Sequence, residues 1–414
     1  MGFFGKLVEK RGDSIANPSA STISFLSGGL QSYTGKVVTE STALTYSAVL
    51  SCVNVISDTI ASIPLFVYEK NQETRSKARD HPLYEILHDK PNSEMTSASF
   101  RSMMQTHLLL WGNAYAEIQW GKDGYPKALW PLNPSTTIME REPGTRRIRY
   151  RVSLPNGKQV LLPADNVLHL VGLTLDGLTG LSPIGLAREA IGLGLSAEEF
   201  GSRFFGNNAT PGGVLEHPKV LGKEAQNNLR SSWNEMHQGL ENSHRLAILE
   251  EGMQYKQIGI PQKDAQFLET RKFQLEEIAR IYRVPQHMIG IMDKATFSNI
   301  EHQDISYVKH TIRPWLVRWE QAMYRSLLTK VERRKYLIEF NVDGLLRGDI
   351  KTRYEGYHLA VNDGWMSGND VRKLENMEPR EGLDEYLING NMTPVKQILK
   401  GGETGEKPGT GTEK

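Results

Sequence analysis

Ile305, Val308, Ile312, Trp315, Trp319, Met323 and Leu327 recur every three or four residues, a spacing that commits the stretch from Ser298 to about residue 329 to one amphipathic helix. Ser298 with Glu301 three residues later reads as a capping box at its start. About 30 residues at 1.5 Å each make a rod of roughly 45 Å. Pro314 should kink it, because proline removes a backbone donor and crowds the carbonyl four residues back. A second helical pattern, capped by Asp264, carries Leu268, Leu275, Ile278 and Tyr282 and is ended by Pro285. The two rods are joined by residues 284–297, a linker holding Val284, Met288, Ile289, Ile291, Met292 and Phe297. Connections that long are uncommon in compact domains and often functional.

The rest of the chain alternates between two periods. Val49, Val53, Ile56, Ile60 and Ile63 form a helical stripe stopped by Pro64, and "PLFVYEK" then reads as a strand. From 100 to 170, "AYAEIQW", "ALWPL", "RRIRYRV" and "VLHLVGL" are short strand-like runs separated by turn signals such as Pro155-Asn156-Gly157. Ser182 and Pro183 open a further helix with Ile184, Ala187, Ile191 and Leu195 on one side. Gly185, Gly192, Gly194 and Gly201 weaken that helix by about 1 kcal/mol each relative to Ala, so a closely packed neighbour, in this chain or in another subunit, is expected against it. Residues 208–262 mix a short helix near 223–238 with strands such as "RLAILEE" and "MQYKQIG". The fold class read from these patterns is α+β. Residues 1–40 and 400–414 are poor in large apolar residues and read as a loose arm and a disordered tail.

Charge narrows the function. Lys and Arg number 49 against 48 Asp and Glu, so the molecule is no polycation and any contact with nucleic acid must be local. One cysteine, Cys52, excludes an internal disulfide and fits a reducing compartment. No apolar run reaches the roughly 18 residues that span a bilayer, and "MGFFGKLVEKRGDS" lacks a signal sequence's apolar core, so the expectation is a soluble, intracellular protein without a membrane partner. Gly192-Leu193-Gly194-Leu195-Ser196-Ala197 imitates a dinucleotide fingerprint but lies inside a helix, where the amides are already used; it is a packing face. Gly180-Leu181-Ser182-Pro183-Ile184-Gly185 has one residue too many for a nucleophile elbow. His302, Asp304 and His310 share a helix at spacings that do not converge on a metal. Arg147, Arg149 and Arg151 alternate on one strand face, which suits a solvated or edge-protecting role better than phosphate binding. No cofactor, metal site or catalytic group is expected.

Six stretches in order resemble a known family: "HPLYEILHDKPN" (81–92), "LLLWGNAYAEI" (108–118), "LTGLSPIGLAREAIGL" (178–193), "RFFGNNATPGGVLE" (203–216), "DAQFLETRKFQLEEIARIYRVPQHMIG" (264–290) and "GDIKTRYEGYHLAVNDGWMSGNDVRKLENMEP" (348–379). They resemble the portal, or head-to-tail connector, proteins of long-tailed double-stranded DNA bacteriophages, over residues 45 to 395. The resemblance implies the phage portal fold assembled as a ring, usually a dodecamer, at one capsid vertex of the virion, built in the host cytoplasm. Its parts would be an α/β wing (41–181 and 298–340), stem helices (182–206 and 264–283), a small α/β clip (207–263), a helical crown (341–399) and a tunnel loop (284–297). The implied partners are double-stranded DNA in the channel, the terminase packaging motor, a head-tail adaptor and the major capsid protein. The residues that would line the channel are His287, Met288, Ile291, Met292, Lys294, Thr296, Phe297 and Asn299. Asp370 stands where the family often has Glu, and His287 where an apolar residue or Pro is common.

Resemblance and composition meet on one point of physics. Dense Lys and Arg lining would release counterions and hold DNA still, whereas a sparsely charged, Met-rich loop can touch a duplex and let it slide. Two other readings make different predictions: a nuclease with carboxylates scattered through the α/β part requires metal-dependent turnover, and an adaptor ring requires a hole without DNA.

Overall fold

A computed structural model of the chain describes residues 31–70, 75–206, 213–237, 249, 252–257, 264–292, 297–342, 350–375 and 377–386. The chain divides into two units, Met1–Val342 and Asp343–Lys414. In the first, a short helix α1 (Glu40–Ala43) precedes α2 (Ser47–Ser62). The apolar stripe expected on α2 is its buried face: Val49, Val53, Ile56, Ile60 and Ile63 are all at most 2% exposed. Ile63 turns extended, as a residue before proline must, and β1 (Leu65–Lys70) follows. Next come β2 (Arg75–Lys77), α3 (Pro82–His88) and α4 (Ser97–Trp111).

Helix α4 departs from the expectation of strands from residue 100 onward. Thr96 accepts a hydrogen bond from Ser99 N at its start, Gly112 ends it in the left-handed conformation, and Phe100, Met104 and Leu108 form a buried face against α2. Gly112 is required twice over, since its φ is +73° and a Cβ there would lie 2.0 Å from the Leu181 carbonyl oxygen.

Strands β3 (Asn113–Trp120), β4 (Pro126–Leu132), β5 (Thr137–Arg141), β6 (Ile148–Ser153), β7 (Gln159–Pro163) and β8 (Val167–Val171) make two antiparallel sheets, ordered β4-β3-β8 and β5-β6-β7. Of the alternating arginines, Arg149 and Arg151 lie on the central strand β6, not at an edge, and both pair with Glu140 of β5, while Arg147 precedes the strand. Tyr115, Tyr150, Val152, Leu162 and Val167 close a small core between the sheets. Inside it His169 faces Tyr150 Oη at 3.2 Å through Nδ1 and Asn113 Oδ1 at 3.0 Å through Nε2, and Asn113 also clasps both backbone groups of Gly180 at 2.8 Å.

The helix expected from Ser182 is broken at Ala187 into α5 (Pro183–Leu186) and α6 (Arg188–Gly206). Its glycines meet this chain's own N-terminal residues: a Cβ on Gly192 would fall 2.4 Å from Ser32 Oγ, and one on Gly194 2.6 Å from the Tyr46 ring. The end of the segment read as a loose arm is therefore held, with Tyr33 N donating to Glu189, Thr34 to the Gly192 carbonyl, and Lys36 paired with Glu199. After α6 come β9 (Gly213–Glu216), α7 (Lys223–His237) and β10 (Gln254–Gln257), the two strands antiparallel; most of "RLAILEE" lies outside the described residues.

Helix α8 (Asp264–Tyr282) packs on α2 and α6, and Tyr282 Oη donates to the Leu109 carbonyl. The long rod then runs as α9 (Phe297–Tyr307), a π-helical turn (Val308–Ile312) and α10 (Arg313–Leu327). It starts one residue before the expected cap, so Ser298 is inside the helix. The disruption expected from Pro314 takes the form of the π turn. The buried series is Tyr307, Ile312, Leu316, Trp319, Met323 and Leu327, with one step of five, while Ile305, placed on the stripe from the sequence, is 50% exposed. Helix α11 (Glu332–Lys335) and β11 (Tyr336–Phe340) end the unit, β11 joining β1 and β2 in a third antiparallel sheet. The second unit contains α12 (Ile350–Asn362) and α13 (Gly368–Leu374); α13 begins with a capping box in which Ser367 and Asp370 satisfy one another.

Candidate nucleic-acid interface

The linker between the rods begins as a tightly tied helix end. At the close of α8, Arg283 adopts φ +57° and Val284 N donates to the Ala279 carbonyl at 2.9 Å, the six-to-one bond of a Schellman ending. Such an ending usually employs glycine, and for arginine the left-handed backbone costs about 1 kcal/mol. A compensating bond comes from the π turn, where Thr311 Oγ1, itself buried, donates to the Arg283 carbonyl at 2.6 Å. Val284, 4% exposed, anchors the chain in the core, and Pro285 opens a 3-10 turn over Gln286–Ile289 that packs on α2 and α8. Gly290 closes that turn at φ +87°, with Ile291 N donating to the Gln286 carbonyl at 3.0 Å.

Of the residues expected to line a channel, the structure describes the first four side chains. Met292 is the most open, at 67% exposed, while Met288 and Ile291 are half-buried. His287 differs: its side chain is only 11% exposed and turned onto α9, with Nδ1 2.9 Å from Gln303 Oε1 and Nε2 2.9 Å from Asp304 Oδ1. It holds the turn instead of presenting a free ring. Lys294 and Thr296 lie outside the described residues, and Phe297 and Asn299 are placed in the first turn of α9 by backbone alone.

Beside the turn opens a groove of about 660 Å³, lined in part by Glu276, Arg280, Arg283, Gln303 and His310. Arg280 and Arg283 were left out of the site read from the sequence because its boundary was set at Val284. Both are exposed. Arg280 lies in the last turn of α8 and Arg283 just past it in the left-handed conformation, so no helical spacing in the sequence groups the two. Chemically the site is a stiffened turn that exposes Met292 and part of Met288 and Ile291, beside a groove whose lining includes Arg280 and Arg283. Among the described residues it offers no nucleophile paired with a base, and no three His, Cys, Asp or Glu side chains converge to hold a metal. No helix among the described residues is long and apolar enough to cross a membrane.

Residues 47–376 match the family described as "Phage portal protein". The "Probable portal protein" of Streptomyces phage phiC31 is 36% identical over 397 residues, covering 92% of this chain and 83% of the relative. The "Portal protein" of Enterobacteria phage HK97 is 32% identical over 360 residues, covering 86% and 84%. Among solved structures, the chain from the neck of a native gene transfer agent particle computed with C12 symmetry superposes with a TM-score of 0.57 at 21% identity, covering 91% of this chain and 99% of that one. A family match across most of the chain, with relatives above 30% identity over more than four-fifths of their length, settles the assignment: the chain belongs to the phage portal protein family.

Proposed function

We propose that the protein forms the ring at the special vertex of a phage-type capsid and serves as the conduit through which double-stranded DNA is packaged and ejected. The observation that carries the reading is membership of the family over residues 47–376; the twelve-fold neck in which a structurally similar chain sits supports a dodecamer. The family is structural and non-enzymatic, so the nuclease alternative falls away. In this reading residues 41–181 and 298–340 make the wing, 182–206 and 264–283 the stem, 207–263 the clip that meets the terminase motor and later the head-tail adaptor, and 341–399 the crown within the head. The capsid protein surrounds the ring. Closed rings use head-to-tail contacts, so no surface of the chain needs to complement itself.

The 284–297 loop is the part proposed to meet DNA. A near-neutral chain that lifts Met292, Met288 and Ile291 on a rigid turn can brush a duplex without displacing its counterions. The test is packaging by rings carrying Met288→Lys, Ile291→Lys and Met292→Lys together. Slowed or stalled translocation, relieved by added salt, is the expected result. Packaging at the parental rate in low salt would remove the loop from the DNA path while leaving the ring intact as a proposal.

A further inference from the structure

Two helical faces carry large apolar side chains into solvent. On the α5–α6 segment these are Leu186 and Leu193, seven residues apart; on α8 they are Phe273 and Ile281, eight apart, and each of the four is about half exposed. The register between the rods is fixed inside the chain. Ser182 Oγ donates to the Leu110 carbonyl and Tyr282 Oη to the Leu109 carbonyl, so the start of the segment and the end of α8 meet at the close of α4 and the rods run antiparallel. Further along, Arg271 pairs with Glu198 at 3.8 Å. Nine residues back from Glu198 stands Glu189, and nine on from Arg271 stands Arg280. Nine residues make two and a half turns, about 13.5 Å. Glu189 and Arg280 therefore share one height, and each points half a turn away from the contact between the rods, on opposite outer sides. The same count sets Leu193 level with Glu276, between Phe273 and Ile281, and Leu186 just past Ile281. Along the rods the four apolar side chains thus alternate, one from each helix in turn.

Resting on the reading that the chain closes into a ring, we propose that α6 of one subunit docks on α8 of the next. Glu189 pairs with the partner subunit's Arg280, and Leu193 lodges between the partner subunit's Phe273 and Ile281. A head-to-tail contact needs two different faces of one chain, and these two lie on opposite sides of the same pair of helices. Rotation about an axis that runs along the rods leaves height unchanged, so groups level with each other on opposite sides of one chain meet when copies stand side by side. The charges match as well. Glu189 and Arg280 are both exposed, and among the described residues Arg280 has no ion-pair partner. Tyr33, whose amide donates to Glu189, is almost fully exposed beside it and adds an aromatic ring to the same face. The occupant of each face is a second copy of this chain: acid meets base, and each apolar side chain meets a gap, only when α6 faces an α8 in this register.

Cysteine cross-linking of the assembled full-length protein tests this, because the one natural cysteine, Cys52, is buried. Leu193→Cys with Glu277→Cys, a pair one residue apart in height, should on oxidation join chains into a ladder of dimers, trimers and larger species on a denaturing gel. Leu186→Cys with Phe273→Cys, ten residues out of step, should leave monomers. Arg280→Glu sets two carboxylates face to face and should weaken subunit association about fivefold at low salt, the scale of one exposed ion pair, as read by sedimentation over a concentration series. Adding Glu189→Arg to it should restore the parent's association. If the first cysteine pair prevents assembly, the charge exchange alone decides. The contact is overturned, with the ring reading left standing, by rings of parental mass in which the first pair runs as monomers or the second links as readily. A charge exchange that fails to restore association overturns it too. A parent that stays monomeric at every concentration removes the ring reading and this contact with it.

Discussion

Replacing His169 with Gln should make the two-sheet region less sensitive to acid, by an amount that follows from where the ring sits. His169 is 3% exposed and stacks on Tyr115 at 4.4 Å. Asn113 Oδ1, already receiving the Gly180 N–H, can only accept from Nε2, which leaves Nδ1 to accept from the Tyr150 hydroxyl. The neutral ring is thus fully satisfied, and a second proton would place an unpaired charge in a buried site and force the Tyr150 hydroxyl to turn from donor to acceptor. Burial accordingly lowers its pKa from 6.5 to about 3. A histidine whose folded pKa lies below its unfolded value takes up its proton first in the unfolded chain, so stability is complete above pH 6.5 and falls as the pH drops toward 3. Between pH 7 and pH 5 the unfolded ring traverses about 1.5 pH units below its pKa. At 1.36 kcal/mol per unit, this single residue removes about 2 kcal/mol of stability. His107, lowered to about 4 by burial on α4, contributes a similar loss through the same interval. Urea unfolding of parent and His169→Gln, at equal protein concentration and at both pH values, measures the difference. The variant should lose about 2 kcal/mol less than the parent on going from pH 7 to pH 5, whatever its stability at pH 7. Equal losses in the two proteins would mean that the ring is protonated in the folded state, and the hydrogen-bond assignment would be wrong.

Two further substitutions probe the frame of the site. Gly180→Ala puts a Cβ 1.9 Å from the Gly112 carbonyl oxygen, a backbone atom that cannot step aside, and should lower stability by about 3 kcal/mol, read as a fall in melting temperature. Arg283→Gly relieves the left-handed backbone at the end of α8 and should raise stability by about 1 kcal/mol in the same assay, provided the Thr311 bond to the residue's carbonyl persists.

Much of this architecture was readable from the residues because local signals and burial agreed. The α2 stripe, the strand after Pro64 and the Ser182-Pro183 helix start lie where their chemistry places them. The reading lost α4, although Thr96 and Gly112 bracket it, because Leu108, Leu109 and Leu110 run directly into a true strand and mask the change of period. It misplaced Ile305 because a stripe continued at three- and four-residue steps cannot foresee one step of five. At the loop, the apolar character of Met288, Ile291 and Met292 was legible. The inward turn of His287 was not, since its partners Gln303 and Asp304 come together with it only once the second rod folds back along the turn. The glycines of α6 were rightly taken to mark close packing, but the surface they meet is a piece of the same chain that composition alone made look loose.

The five-residue winding at Val308–Ile312 makes the long rod a shaft with a built-in angular offset. One residue beyond the ordinary repeat swings everything past it by about 100° around the axis. A single continuous shaft can therefore point two ways. On one side of the offset, Tyr307 reaches Thr59 and Val55 on α2 and Asp304 grips the turn. On the other, Leu316 and Trp319 are sealed in the core while α10 lies along β8 and β11. An evenly wound shaft would line Ile305 up with Ile312 and rotate Tyr307 out of its seat, separating the loop's mooring from the sheets that hold the rod in place.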